Sequence, residues 1–220
     1  MERGWVGRID GDRVIQLAAQ TLQSLFTGGG TAREHAEYPL AGVHLLAPVL
    51  HPPAVRVFED QTTFAFANPA AIVGPGADVT PSDKLSPGRL VLVPRLAGVI
   101  GVDGALAGFT AFADWRDPTR MPPKDRDFAL GLGPVVATPD DLDADGLEGI
   151  VRVDGSERTR VMFAGFDWDA ARDLAEAGTR LIPGDLIAGP PALAEAIPRG
   201  SVVELELEGI GVLEQLVAGG

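Results

Sequence analysis

The chain has 220 residues, 45% of them hydrophobic, and its 31 acidic and 18 basic side chains give a formal net charge of −13. Such an acidic balance repels phosphate backbones, so we do not expect nucleic acid as a partner. There is no cysteine, which excludes disulfides, thiolate metal ligands and cysteine nucleophiles. The N-terminus has no apolar signal-peptide core, and no apolar run approaches about 18 residues, which predicts a cytoplasmic protein with no membrane span.

Residues 1–45 are expected to form a small N-terminal lobe. Two short apolar runs flank the turn Asp10-Gly11-Asp12, and Asp-Gly between such runs is typical of a β-hairpin. The run LAAQTLQSLF that follows has helical spacing and precedes three glycines at 28–30, which predicts a helix ending there. The paired prolines of GVHLLAPVLHPP indicate a connector to a main body over residues 46–220.

The main body is predicted to be mostly β (α+β). The 28 Gly and 18 Pro are spread along the chain, and such punctuation favours short strands over long helices. The strand candidates are FAFANPAAIVGPG, RLVLVPRLAGVIG, ALAGFTAFADW, ALGLGPVVATPDD, GIVRVDG, RVMFAGF, DLIAGPP and SVVELELEGIGVLEQLV. One clear helix, DWDAARDLAEAG, is expected to be capped by Asp167 or Asp169 and closed by Gly178.

Six motifs of the body occur in a fixed order: FAFANPAAIVGPGADV, LAGVIG, GFTAFADW, KDRDFALGLGPVVATPDDL, GTRLIPGDLIAGP and GSVVELELEGIGVLEQ. In this order they resemble the fumarylacetoacetate hydrolase family, in the branch of hydroxyhepta-dienedioate isomerases and related 2-oxo or β-diketo acid enzymes. The resemblance runs from about Val43 to Val217, and the N-terminal unit is similar to the family's leading lobe. It implies a mixed β-sandwich roll, usually homodimeric, with a divalent cation at one mouth.

The resemblance also implies the positions of the metal ligands. In the family, a Glu-x-Glu pair on the strand before Val-Ile-Gly and the Asp of an Asn-Asp-Trp type motif bind Mg²⁺ or Mn²⁺. These positions match Val93, Arg95 and Asp114 in this sequence. Mg²⁺ needs several oxygen ligands, including anionic ones, and a guanidinium group repels it. We therefore expect a degenerate metal site, with no metal ion and no other cofactor.

Other family positions match charged or polar residues here. The lysine of a Gly-Lys-Asp-Phe motif matches Arg126, with Lys124 two residues earlier, and the water-activating pair of a Phe-Glu-x-His stretch matches Glu59 and Gln61. Glutamine cannot accept and return a proton as histidine does. The predicted catalytic residues are Glu59, Asp114 and Arg126, and the predicted substrate-binding residues are Arg95, Lys124 and Gln61.

Arg95 has two interpretations. Its guanidinium group could pair with Asp114 and hold a substrate carboxylate by a bidentate contact, or the pair could be a structural plug in a silent site. Two functions follow from these alternatives. One is a metal-independent hydrolase, isomerase or decarboxylase that acts on or binds a small 2-oxo or β-diketo acid. The other is a pseudoenzyme, a catalytically silent homologue with a binding or structural role. In both cases we expect a homodimer and a small anionic ligand.

Overall fold

A computed structural model of the protein describes residues 4–80 and 89–219. In these residues the chain forms sixteen strands and two α-helices. The first elements are β1 (Gly7–Asp10), β2 (Arg13–Ala18), α1 (Leu22–Phe26) and β3 (Thr31–Pro39). The next strands are β4 (Val55–Phe58), β5 (Phe64–Ala67), β6 (Ile72–Val73), β7 (Asp78–Val79), β8 (Arg89–Ile100), β9 (Leu106–Arg116) and β10 (Leu130–Ala137). The chain ends with β11 (Leu147–Val153), β12 (Ser156–Phe163), α2 (Trp168–Glu176), β13 (Leu186–Ala188), β14 (Glu195–Pro198), β15 (Val202–Leu207) and β16 (Gly211–Val217).

Strands β1 to β3 form a small antiparallel sheet within the predicted N-terminal lobe. The hairpin around Gly11 is confirmed, but the helix predicted from Leu17 starts later. Residues 17 and 18 pair with β3 and extend β2, and the Thr21 hydroxyl then accepts a hydrogen bond from the Ser24 backbone N–H, which caps α1. Pairing with β3, which was not predicted as a strand, therefore overrides the helical spacing of this segment.

The strands of the main body form two sheets. The larger sheet has eight strands in the order β5-β4-β13-β8-β9-β10-β6, with β14 also paired to β8. The smaller sheet has the order β12-β11-β15-β16-β7. Most neighbours are antiparallel, whereas β4 and β13, β6 and β10, and β7 and β16 are parallel. The predicted mostly β, mixed architecture is confirmed.

The main core lies between these two sheets. Strand β15 shows why the sequence alternates there, because Val203, Leu205 and Leu207 are buried while Glu204 and Glu206 lie on the wetter face. Burying a leucine or valine side chain contributes roughly 1.5–3 kcal/mol. Among the described residues, no helix is both long and apolar enough to cross a membrane.

Helix α2 packs on the other face of the large sheet. Its Ala171 and Ala175 lie against Phe58 and Ile187, which belong to β4 and β13. The helix starts as predicted, since the Asp167 side chain accepts a hydrogen bond from the Ala170 backbone N–H. Strand β8 therefore runs through the middle of the large sheet with packed layers on both sides, which explains why nearly all of its residues are buried.

Candidate functional site

The side chain of Arg95 lies in the large sheet with no exposed surface. In the register of β8 and β9, Val93 is opposite Asp114 and Arg95 is opposite Phe112. Arg95 and Asp114 are therefore diagonal neighbours on one face of the strand pair, a separation that a long side chain can span. Strand pairing thus places the guanidinium group beside the Asp114 carboxylate.

The Arg95 guanidinium group joins four adjacent strands. Its Nη1 donates hydrogen bonds to the carbonyl oxygens of Phe58, the last residue of β4, at 2.6 Å, and of Gly189, which directly follows β13, at 2.8 Å. Its Nε donates to Asp114 Oδ2 on β9 at 3.1 Å, and Nη2 lies 3.1 Å from the same oxygen. Burial lowers the pKa of Arg95, and the Asp114 charge opposes this effect.

Arg116 belongs to the same group of charges, although it was not predicted from the sequence. It is two residues after Asp114 on β9, so both side chains project from one face of the strand. Arg116 Nη2 donates to Asp114 Oδ2 at 2.9 Å. Partial burial by itself would lower the pKa of Arg116, but the nearby carboxylates, chiefly Asp114, together outweigh burial and raise it. The period of two along β9 is the sequence signal that could have identified this residue.

Glu59 and Arg126 complete the site. Glu59 directly follows β4, and its Oε1 lies 3.2 Å from Arg126 Nη1, 3.5 Å from Arg95 Nη2 and 3.6 Å from Arg116 Nη2. The Glu59 side chain is 39% exposed. The structure therefore brings together four of the predicted site residues, Glu59, Arg95, Asp114 and Arg126. We refer to these four residues with Arg116 as the arginine cluster.

The other two predicted site residues form contacts elsewhere. Lys124 is mostly exposed, and its ammonium group pairs with Asp127. Gln61 bonds to the backbone at the start of α2, because its Nε2 donates to Asp167 O and its Oε1 accepts from Asp167 N, both at 2.9 Å. Their hydrogen-bonding groups are thus engaged outside the arginine cluster. A substrate-binding role for Lys124 or Gln61 stays a prediction.

A divalent cation beside Asp114, which the family resemblance implies, does not fit the residues present. Val93 offers only hydrocarbon, and Arg95 places a positive charge directly on the Asp114 carboxylate. Within residues 4–80 and 89–219, no three His, Cys, Asp or Glu side chains converge as a metal-binding group. Mg²⁺ requires near-octahedral oxygen ligation, and the surrounding guanidinium groups would repel it. The arrangement is instead suited to binding carboxylate or enolate oxygens, for which guanidinium is a planar donor.

Comparison with known proteins gives one family and many solved structures. The family model described as fumarylacetoacetate (FAA) hydrolase C-terminal matches residues 46–218. A maleylpyruvate hydrolase from Sphingobium sp. SYK-6 is 22% identical, with a TM-score of 0.79 over 100% of this chain and 98% of that one. The search of curated proteins found no match.

Two further solved structures have the same fold. The 2-hydroxyhepta-2,4-diene-1,7-dioate isomerase from Mycobacterium marinum is 23% identical, with a TM-score of 0.77 over 97% of this chain and 92% of that chain. The fumarylacetoacetate hydrolase from Exiguobacterium antarcticum is 20% identical, with a TM-score of 0.81 over 98% and 95%. At these identities the likeness shows the fold alone.

Replacing the buried carboxylate should destabilise the protein strongly. In Asp114→Asn, Arg95 would keep its charge in the interior without its carboxylate partner, which typically costs about 3–5 kcal/mol. Adding Arg95→Met should recover much of this loss, because it removes the uncompensated charge. Urea denaturation would measure both changes in the free energy of unfolding.

The control is Glu34→Gln, which removes a carboxylate from the exposed pair with Arg8, 2.8 Å away. An exposed pair of this kind contributes at most about 1 kcal/mol. If Asp114→Asn and Glu34→Gln had equal effects, the two backbone carbonyls and Glu59 would be sufficient to stabilise the buried guanidinium group without Asp114.

Proposed function

The chain belongs to the fumarylacetoacetate hydrolase family, and on this premise we propose that its arginine cluster binds a small 2-oxo or β-diketo acid without a metal ion. Solved structures with the same fold include a maleylpyruvate hydrolase and a 2-hydroxyhepta-2,4-diene-1,7-dioate isomerase, both named for small acid substrates. The reaction classes proposed for this chain are therefore hydrolysis, isomerisation or decarboxylation of such an acid.

The observation that supports this proposal is the convergence of three guanidinium groups on one carboxylate oxygen. Nitrogen atoms of Arg95, Arg116 and Arg126 lie within 3.6 Å of Glu59 Oε1. Guanidinium groups match carboxylates in shape and charge, and they stay protonated at neutral pH. A ligand carboxylate or enolate presents the same kind of acceptor to these donors.

In this proposal, the arginines perform the electrostatic part of the reaction. Their N–H groups would stabilise negative charge that develops on a substrate oxygen. A metal ion acting as a Lewis acid is worth several kcal/mol in this role, and a guanidinium group is a poorer substitute. Turnover of acylpyruvates or fumarylpyruvate-like substrates is therefore expected to be very weak or absent.

A second candidate function, a catalytically silent homologue, is favoured by the burial of the central ion pair. Arg95 and Asp114 have no exposed surface, and Arg95 Nη1 is already bonded to two backbone carbonyls. In this alternative the pair is a structural plug, and the protein has a binding or structural role without turnover.

Ligand binding tests the proposed function directly. Isothermal titration calorimetry should detect binding of pyruvate or oxaloacetate, and Arg126→Met should weaken it about tenfold or more, since a hydrogen bond to a charged group contributes about 1.5–3 kcal/mol. Arg158→Met, at an exposed arginine on β12, is the matched control and should leave the affinity unchanged.

Two results would change the proposal. If pyruvate and oxaloacetate fail to bind at millimolar concentration both to the protein and to Glu59→Ala, which removes the internal carboxylate from the arginines, the silent homologue is favoured. If an acylpyruvate is turned over at an ordinary enzyme rate, on the order of 10 per second, the expectation of weak catalysis is wrong.

A ligand that binds only the native state raises the melting temperature of a protein. Because we propose that this protein binds no metal ion, Mn²⁺ should leave its melting temperature unchanged. The double variant Val93→Glu/Arg95→Glu would place two new carboxylates beside Asp114. That variant should start less stable, because the carboxylates repel one another, and should melt higher as Mn²⁺ is added.

The control for the metal experiment is Val93→Gln/Arg95→Gln, which removes the same side chains without adding carboxylates and should show no response to Mn²⁺. Stabilisation of the parent protein by Mn²⁺ would show that the metal-ligand positions have been misassigned.

We also propose a homodimer, formed through the outer face of the smaller sheet. The partly exposed Val202, Val212 and Leu216 lie on this face of β15 and β16, whereas Leu213 points into the core. Light scattering at micromolar concentration should give twice the mass of the chain, and Val212→Glu should give a monomer. The control Val102→Glu, at an exposed valine in another part of the chain, should leave the dimer intact. A monomeric parent protein would contradict the proposal.

A further inference from the structure

The two carboxylates of the arginine cluster are held unequally. Asp114 is fully buried, and its Oδ2 lies 2.9 Å from Arg116 and 3.1 Å from Arg95. Glu59 is 39% exposed, and its Oε1 is 3.2 to 3.6 Å from the nearest nitrogen atoms of the three arginines. Charge-assisted N–H···O bonds are usually about 2.7–2.9 Å long. The contacts of Glu59 are therefore the looser ones, and solvent reaches its side chain.

The backbone around Glu59 is fixed although its side chain is exposed. The preceding carbonyl, of Phe58, accepts the 2.6 Å hydrogen bond from Arg95, and the Glu59 N–H donates to Thr63 O at 2.9 Å. Gln61 ties the same loop to the start of α2. Since exposed side chains change rotamer within nanoseconds, the Glu59 carboxylate can leave the arginines by side-chain rotation, with no rearrangement of the fold.

Two guanidinium nitrogens of the cluster lack a well-oriented acceptor. Among the described residues, Arg95 Nη2 and Arg116 Nε are buried and have no hydrogen-bond partner. Leaving a buried donor unpaired is unfavourable. Glu59 is attached to a fixed backbone and cannot orient freely toward both atoms. A small ligand can orient freely, and a 2-oxo acid carries a carbonyl oxygen next to its carboxylate as an additional acceptor.

The charges of the arginine cluster and its neighbour Asp125 balance only while Glu59 is in place. Asp125 lies outside the cluster, but its Oδ2 is 4.0 Å from Arg126 Nε, so the three guanidinium groups face three carboxylates: Asp114, Glu59 and Asp125. Without Glu59 these groups have one positive charge in excess. A ligand with a single carboxylate would restore the balance, since it carries the same charge as the glutamate that it replaces.

We propose that Glu59 occupies the carboxylate position of the ligand site, and that a 2-oxo monocarboxylate binds by displacing it. This inference rests on the proposed function, because it assigns a competitor to the same site. The measured association constant is then the intrinsic constant multiplied by the fraction of molecules in which Glu59 has left the arginines. The more often Glu59 occupies the arginines, the weaker the measured binding. Glu59 therefore acts as a built-in inhibitor of binding.

Calorimetry with pyruvate as the probe tests the displacement. The affinity of Glu59→Ala for pyruvate should be about tenfold or more higher than that of the parent, because the competing carboxylate is gone. Added acetate should also raise the melting temperature of Glu59→Ala more than that of the parent, since it fills the vacated position. Glu59→Gln keeps the size of the side chain and removes its charge, so it should change the affinity in the same direction even if Glu59→Ala fails to fold.

The matched control is Glu34→Ala, which removes a glutamate from an exposed ion pair with Arg8 in the N-terminal lobe. It changes the net charge of the protein by the same amount and should bind pyruvate as the parent does. Equal affinity of the parent and both Glu59 variants would overturn the displacement and leave the proposed function standing. Weaker binding by the Glu59 variants would also overturn it, because Glu59 would then contribute to binding. Absence of binding in the parent and in both variants would overturn both proposals.

Discussion

The contact on which the site depends is that between the buried Arg95 guanidinium group and the Asp114 carboxylate. A guanidinium group in the interior is costly unless its charge is compensated and most of its donors are paired. Asp114 supplies the charge, and the carbonyls of Phe58 and Gly189 accept from Nη1. Through these bonds one side chain links β4, β13, β8 and β9, which backbone pairing already holds side by side. The positions of Glu59 and Arg116 follow from this arrangement, because Glu59 directly follows β4 and Arg116 is the last residue of β9.

The protein combines a family fold with a group of guanidinium side chains around a buried carboxylate. The fold is that of the fumarylacetoacetate hydrolase family, and the site has guanidinium groups around Asp114. A guanidinium group donates hydrogen bonds in a plane and carries one charge, while a divalent cation concentrates two charges at a point and takes ligands in several directions. A fold does not determine the reaction, so the function has to be argued from these side chains.

The site divides into a rigid part and an adjustable part. Arg95, Asp114 and Arg116 belong to central strands whose neighbours fix them on both sides. Glu59 and Arg126 lie outside strands, one directly after β4 and the other between β9 and β10. Binding groups on strands are held more precisely than groups on loops, and loops accommodate changes on binding. This division is consistent with an exchangeable carboxylate at Glu59 beside a fixed pair formed by Arg95 and Asp114.

Local sequence patterns determined most strands of the main body and helix α2, because alternation of apolar residues, turn glycines and the Asp167 cap act over a few residues. The order of motifs also identified Arg95 and Asp114 as neighbours. Tertiary structure decided the rest. Pairing with β3 turned the predicted start of α1 into the end of β2. Arg116 joined the cluster, while Gln61 bonded to the start of α2. Long polar side chains bind the partners that the folded chain brings within reach, and these partners are distant in sequence. Arg116 and Glu59 are 57 residues apart, and Gln61 and Asp167 are 106 residues apart.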